Sequence, residues 1–203
     1  MSEIKPVEFC GDSREALKRF PGSVRRQAGH QLELVQLNIE PEDWKPMPTI
    51  GPGVREIRIR DVSGIYRMMY VAKFRNALYV LHCFQKKTKN EQQRSGNGDS
   101  AIQGTVTGAN AMNERFSNVW DAIEDDPAQR ENLKVRSALM AALKDYILTE
   151  GMTQSQAAKK FGVTQPRISD LMRGKIDLFA IDTLVNMLGA AGLHMDLQIG
   201  KAA

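Results

Sequence analysis

The sequence predicts an α+β protein in two parts: a small antiparallel sheet packed on two helices over residues 1–90, and an all-α part over residues 112–203. Three observations carry this prediction. Apolar and polar residues alternate in VREIRIRD at 54–61, with Ile57 and Ile59 set between Glu56, Arg58 and Arg60. After residue 112 the apolar positions instead recur at three and four, the period of a helix. Between them, EQQRSGNGDSAIQGTVTGANA at 91–111 has neither period and no aromatic residue, so it reads as a flexible linker.

In the first part, Ile4–Cys10 reads as extended. Asp12–Ser13 offers an N-cap ahead of the helical run REALKRF, which Pro21–Gly22 breaks; Ser23 can cap the next helix. Val24, Ala28, Leu32 and Val35 mark the buried face of that second helix. Pro41, Pro46, Pro48 and Pro52 make 41–53 a loop. Three strands follow. In VREIRIRD, Ile57 and Ile59 point to one face and Glu56, Arg58 and Arg60 to the other. Ser63–Gly64 turns the chain into IYRMMYVAKF, and Arg75–Asn76 turns it into ALYVLHCFQKK. This last strand is apolar on both faces through Leu81, as a central strand is, and turns polar at His82, Gln85, Lys86 and Lys87.

Composition narrows the class. The 203 residues are 42% hydrophobic and 26% charged, and no apolar run approaches the ~18 residues that span a bilayer. The opening MSEIKPVEFCGD lacks an apolar core of the signal-peptide kind. Cys10 and Cys83 are the two cysteines, and a reduced, cytoplasmic chain is the expectation. No CxxC or HExxH spacing occurs, so neither a metal nor a cofactor is expected. Charge is unevenly placed. Residues 1–90 carry 16 Lys/Arg against 10 Asp/Glu, whereas residues 91–203 carry 12 against 14. A basic first half fits a polyanionic partner, either nucleic acid or an acidic protein segment.

In the second part, Phe116, Val119, Trp120 and Ile123 share helical spacing. Pro127 opens a long helix whose apolar face is Leu133, Leu139, Ala142, Leu143, Tyr146 and Ile147, ending at Gly151. The run MTQSQAAKKFGVTQPRISDLMRG then reads as a helix-turn-helix. Thr153 caps a helix from Gln154 to Phe161, Gly162 permits the left-handed turn, Val163 plugs the angle, and Thr164 caps a second helix that Gly174 ends. Ala157, Ala158, Phe161, Ile168 and Leu171 supply the core between the helices. Gln and Arg near the start of such a second helix can hydrogen-bond base edges in a major groove. The run TQSQAAKKFGVTQPRISDLMRGK resembles the Cro/phage-repressor (XRE) family. With FSNVWDAIEDDPAQRENLKVRSALM before it and GKIDLFAIDTLVNMLGAAGLHMDLQI after it, residues 112–200 resemble HigA-type antitoxins. That resemblance implies Gln154 near phosphates, Thr164, Gln165, Arg167 and Ser169 over bases, and Arg173 on a phosphate or a base.

The pieces GVREIRI, YRMMY and LHCFQKKT resemble the HigB branch of the RelE-like toxins, ribonucleases that cut mRNA, usually on the ribosome. The resemblance implies metal-independent endoribonuclease chemistry: the substrate 2′-hydroxyl attacks the adjacent phosphate, and fixed cations stabilise the charge that develops. Matched onto this chain, Arg58, Arg67, Lys86 and Lys87 would bind phosphate, His82 would act as acid or base, and Tyr70 would stack on a base or fill the core. Each also has a plain structural reading, as a solvated strand cation or a hydrogen-bonded core histidine. The family continues past the KKT motif into a C-terminal helix, whereas here the periodic signal stops at Thr88. A frameshift that removed that tail and joined two reading frames, with Met112 the former antitoxin start, would account for it. The expected function is a fused toxin–antitoxin protein, its ribonuclease domain neutralised by its own or a partner's second domain, which binds operator DNA as a homodimer and represses its own gene. The alternatives are a repressor carrying a dead toxin fold and an active ribonuclease whose second half only inhibits.

Overall fold

The computed structural model describes residues 4–72, 76–86, 113–196 and 200. Lys87, the 91–111 linker, Arg75 and Met112 lie outside the described residues. Six strands form one sheet: β1 (Val7–Phe9), β2 (Trp44–Pro46), β3 (Val54–Asp61), β4 (Gly64–Val71), β5 (Leu78–Lys86) and β6 (Glu114–Phe116). Their order is β2-β3-β4-β5-β1-β6. Two helices, α1 (Ser13–Lys18) and α2 (Gly22–Gln36), lie between β1 and the rest in sequence and on one face of the sheet in space.

The expected β3-β4-β5 meander is present, with Ile57 and Ile59 in the core. Three strands go beyond it. β1 pairs parallel to β5, so the sheet is mixed rather than antiparallel. A parallel neighbour needs a crossover, which α1 and α2 provide. This pairing also explains why β5 is apolar on both faces: it is an interior strand between β4 and β1. Residues 41–53 are not all loop, because Trp44–Pro46 pairs with β3 as the edge strand β2; proline is tolerated at such an edge. Phe116 is in a strand rather than a helix. β6 pairs with β1, setting Phe116 opposite Val7 with its ring 6.2 Å from that of Phe9.

The second part adds α3 (Val119–Ile123), α4 (Pro127–Thr149), α5 (Gln154–Phe161), α6 (Gln165–Met172), a 3-10 turn (Ile176–Leu178) and α7 (Ile181–Ala191). One apolar core runs without a break from the sheet through α2 into these helices. Helix α2 is the shared element. Val24, Ala28, Leu32 and Val35 face the sheet as expected, yet Gly29, His30, Gln31, Glu33 and Gln36 are buried as well. Trp120, fully buried, explains part of this. A Cβ on Gly29 would come within 2.7 Å of the Trp120 ring and of Ile123, so the indole seats where the helix has no side chain. Helix α4 is enclosed on more sides than one stripe predicts: Ser137, Met140, Ala141 and Lys144 are buried, while Ala142 is exposed.

Two helix starts differ from expectation. Ser23 lies inside α2, whose N-cap is Pro21. Asp12 holds the N-cap position of α1 without a side-chain bond, and the Ser13 hydroxyl donates to the Val80 carbonyl instead.

Candidate nucleic-acid interfaces

The helix-turn-helix closes through local chemistry. Thr153 and Gln156 form a reciprocal capping box at the start of α5, with bonds of 3.3 and 2.8 Å. Gly162 ends α5 at φ +67°, the left-handed conformation that glycine adopts without a steric penalty. Thr164 takes the N-cap position of α6 but makes no side-chain capping bond. Pro166, the second residue of the helix, has no N–H to offer it, and the Arg167 N–H donates to the Thr164 carbonyl. Thr164, Gln165 and Arg173 are exposed, while Gln154, Arg167 and Ser169 are half-buried. The Arg167 guanidinium lies 4.3 Å over the Phe179 ring, which limits its wandering.

The far end of α6 rests on the first half of the chain. Gln27 and Gln31 of α2 both donate to the Arg173 carbonyl, at 2.8 and 3.1 Å. Gly174 follows at φ +72°, where a Cβ would also meet Gln31 and His30 within 2.6 Å. Arg26 pairs bidentately with Asp177 at 2.5 and 2.7 Å. The acidic run of the second half meets the basic first half in Lys18–Asp125 at 2.9 Å and Arg25–Glu124 at 3.6 Å.

The junction beneath these pairs is polar and buried. Glu33 accepts from Trp120 Nε1 at 3.0 Å and Asn118 Nδ2 at 2.8 Å, and burial raises its pKa against the pull of those bonds. His30 Nδ1 lies 2.6 Å from Ser137 Oγ. Burial first, then the nearby Lys144 charge, pushes His30 down to about 3, so it is neutral in the fold. Lys144 is itself 2% exposed, its pKa lowered by burial, with Glu42 as a 3.8 Å ion partner.

The sheet face turned away from α1 and α2 gathers the other predicted residues. Arg58 pairs across strands with Arg67, Met69 with His82, Arg67 with Phe84, and Ile65 with Lys86. An irregularity in the β4–β5 register between Met69 and Tyr70 restores His82 to this face, where its ring stacks on Phe84 at 5.3 Å between centroids. The structure therefore brings Arg58, Arg67, His82 and Lys86 onto one surface. It does not bring Tyr70 there: Tyr70 is fully buried on the opposite face, so of its two expected roles it fills the core. Arg67 shares its parity with Met69 and Val71 because a second apolar cluster, of Cys10, Val54, Met69, Val71 and Leu81, lies on this face beside it.

Sequence reasoning left out the carboxylates of this surface. Glu56 is fully buried and has Arg67 Nη1 at 2.9 Å, with Arg58 and Lys45 each at 3.8 Å. Asp43 lies 2.5 Å from Arg58 Nη2 and 3.5 Å from Arg60 Nε. The alternation of β3 already placed Glu56 beside Arg58 and Arg60. Nothing in the proline-rich loop signals that Asp43 would reach them.

Among the described residues, no group of three or more His, Cys, Asp or Glu could hold a metal ion, and no helix is long and apolar enough to cross a membrane. Residues 15–95 match the family described as phage derived protein Gp49-like (DUF891). Residues 122–200 match a helix-turn-helix domain family. Neither match covers half of the 203 residues. No curated protein matches the chain. The two family matches, in this order along one chain, support a fused toxin–antitoxin architecture.

Proposed function

We propose that this chain is a fused type II toxin–antitoxin protein: residues 1–90 form a metal-independent mRNA endoribonuclease domain, and residues 112–203 bind operator DNA and repress the protein's own gene. The observation that carries the first half is the assembly of Arg58, Arg67, His82 and Lys86 on one sheet face. In the proposed reaction the 2′-oxygen of one nucleotide attacks the neighbouring phosphorus and the 5′-oxygen of the next leaves. Arg58, Arg67, Lys86 and Lys87 hold the phosphate and stabilise its added charge, and His82 moves the proton. Phe84 stacks on His82 and orients its ring. The substrate is mRNA, on the ribosome as the family resemblance implies.

For the second half, the exposed Thr164, Gln165 and Arg173 and the braced Arg167 and Ser169 support base and phosphate contacts in a major groove, with Gln154 against the backbone. A homodimer would read two half-sites about one helical turn apart, or a multiple of it. Among the described residues, the side-chain hydrogen bonds and ion pairs that join this half to the first fall on α1, α2, β1, Asn76 and Glu42. The α1 and α2 contacts lie behind the sheet and the Glu8–Arg115 pair lies on its outer face at the β1–β6 edge, which argues for restraint acting mainly from behind.

A second reading is a transcriptional repressor carrying a catalytically dead toxin fold. The pairing of both candidate arginines with carboxylates favours it. Purified full-length chain decides between them. Cleavage of mRNA in a translating extract that Lys86→Ala abolishes supports the enzyme. Footprinting of the DNA upstream of its own gene, with no cleavage either by the full chain or by an Arg26→Ala, Glu33→Gln chain whose two halves are loosened, supports the repressor.

A further inference from the structure

We propose that Arg58 and Arg60 form a subsite for a phosphodiester group, and that the Asp43 carboxylate fills it in the unliganded chain. This rests on the reading of the outer sheet face as an RNA surface. Arg58 and Arg60 alternate along β3 and so point to the same side. Asp43 spans them with its two oxygens, Oδ1 on Arg58 Nη2 at 2.5 Å and Oδ2 on Arg60 Nε at 3.5 Å. The two non-bridging oxygens of a phosphodiester can make the same pair of contacts.

Glu56 and Asp43 differ in what they allow. Glu56 has no exposed surface and orients Arg67 from below. Asp43 is 31% exposed and Arg60 71%, so solvent and ligand reach their pair. Arg58 Nε is buried and faces Glu56 Oε1 at 3.8 Å, which anchors the guanidinium from below while its Nη2 meets Asp43. Lys45, Arg58, Arg60 and Arg67 meet two carboxylates here. Turning Asp43 away leaves these cations facing Glu56 and the incoming phosphate.

The main chain at Asp43 is pinned, so only its side chain need move. The Asp43 carbonyl accepts from the Arg58 N–H at 2.8 Å. Its neighbour Glu42 donates its N–H to Gln31 Oε1 at 3.0 Å and pairs with Lys144 of α4 at 3.8 Å. The same Gln31 donates to the Arg173 carbonyl at the end of α6. Asp43 is thus held over the cations by residues that also hold the DNA-reading helix.

Fluorescence anisotropy of the full-length chain with a labelled single-stranded RNA oligonucleotide at low salt tests the proposal. Asp43→Asn is expected to tighten binding by about threefold to fivefold, the effect of removing a half-exposed competing ion pair. The gain is expected to disappear in an Arg58→Ala or Arg60→Ala background, because the cycle removes the charge that Asp43 covers. Asp43→Ser is carried alongside, in case the amide packs badly, with thermal melts to verify folding. Equal or weaker binding by both folded Asp43 variants overturns the subsite, provided Arg58→Ala weakens binding of the parent chain. If Arg58→Ala has no effect, or no RNA binds at all, the RNA reading of this face falls and the subsite with it.

Discussion

Two buried carboxylates, Glu33 and Glu56, show how the same group serves opposite ends. Glu33 sits between the two halves of the chain and is met by neutral donors, the Trp120 indole and the Asn118 amide. Its carboxyl is buried and both oxygens accept hydrogen bonds from the second half, so it holds the halves together. Glu56 sits under the outer sheet face and is met by cations, Arg67, Arg58 and Lys45, whose outer sides reach solvent. Its charge organises other charges that remain available to a ligand. The partner decides the role: neutral donors make a joint, and part-exposed cations make a surface that can do chemistry.

If that contrast is right, substitutions at the junction should act on stability and those on the outer face on binding. Trp120→Ala is expected to be the most damaging, costing about 3–5 kcal/mol by emptying the seat over Gly29 and leaving Glu33 short of a donor. Chemical denaturation monitored by circular dichroism measures it, and a loss below 1 kcal/mol would break the comparison. Acid is expected to come next. His30 has an unperturbed pKa of 6.5 in the unfolded chain and about 3 in the fold, so its contribution is complete above pH 6.5 and is lost as pH falls toward 3. Between pH 7 and pH 5 this one group should remove about 2 kcal/mol, and His30→Gln should flatten that part of the stability profile. Lys144→Met is expected to stabilise the fold by about 1 kcal/mol, since a buried ammonium held by one 3.8 Å ion pair gives way to a packed apolar side chain. A lowered melting temperature would show that the Glu42 pair outweighs the burial. Lys86→Ala, at an exposed strand end, is expected to change stability by less than about 0.5 kcal/mol. It should weaken RNA binding and lower the salt slope by about one counterion.

Much of this was legible in the sequence, and the omissions share a cause. The β3-β4-β5 meander and the helix-turn-helix follow from local period and turn chemistry, which adjacent residues carry. Thr153 and Gly162 act on the helix they bound and are legible in the sequence, whereas the return bond from Gln156 that completes the capping box goes beyond that reading. The residues that escaped act over long separations. Nothing near Gly29 indicates that Trp120 will seat on it, and nothing near Asp43 indicates Arg58. β6 is three residues long and pairs with a strand more than a hundred positions earlier, so its pattern is too short to show a period. For the cationic face, alternation placed Glu56, Arg58 and Arg60 together, whereas His82 needed the register shift in β5, which alternation cannot foresee. Ser137 and Lys144 read as polar positions of a helix because the second element that covers them lies in the other half of the chain.

The seat of Trp120 on Gly29 also bears on heredity. A helix that has given up a side chain at one position fits a partner with a large ring there and leaves a void against any other. An N-terminal half of this kind paired with a foreign C-terminal half would lose this contact, so the two coding segments are expected to travel together and to exchange poorly between lineages.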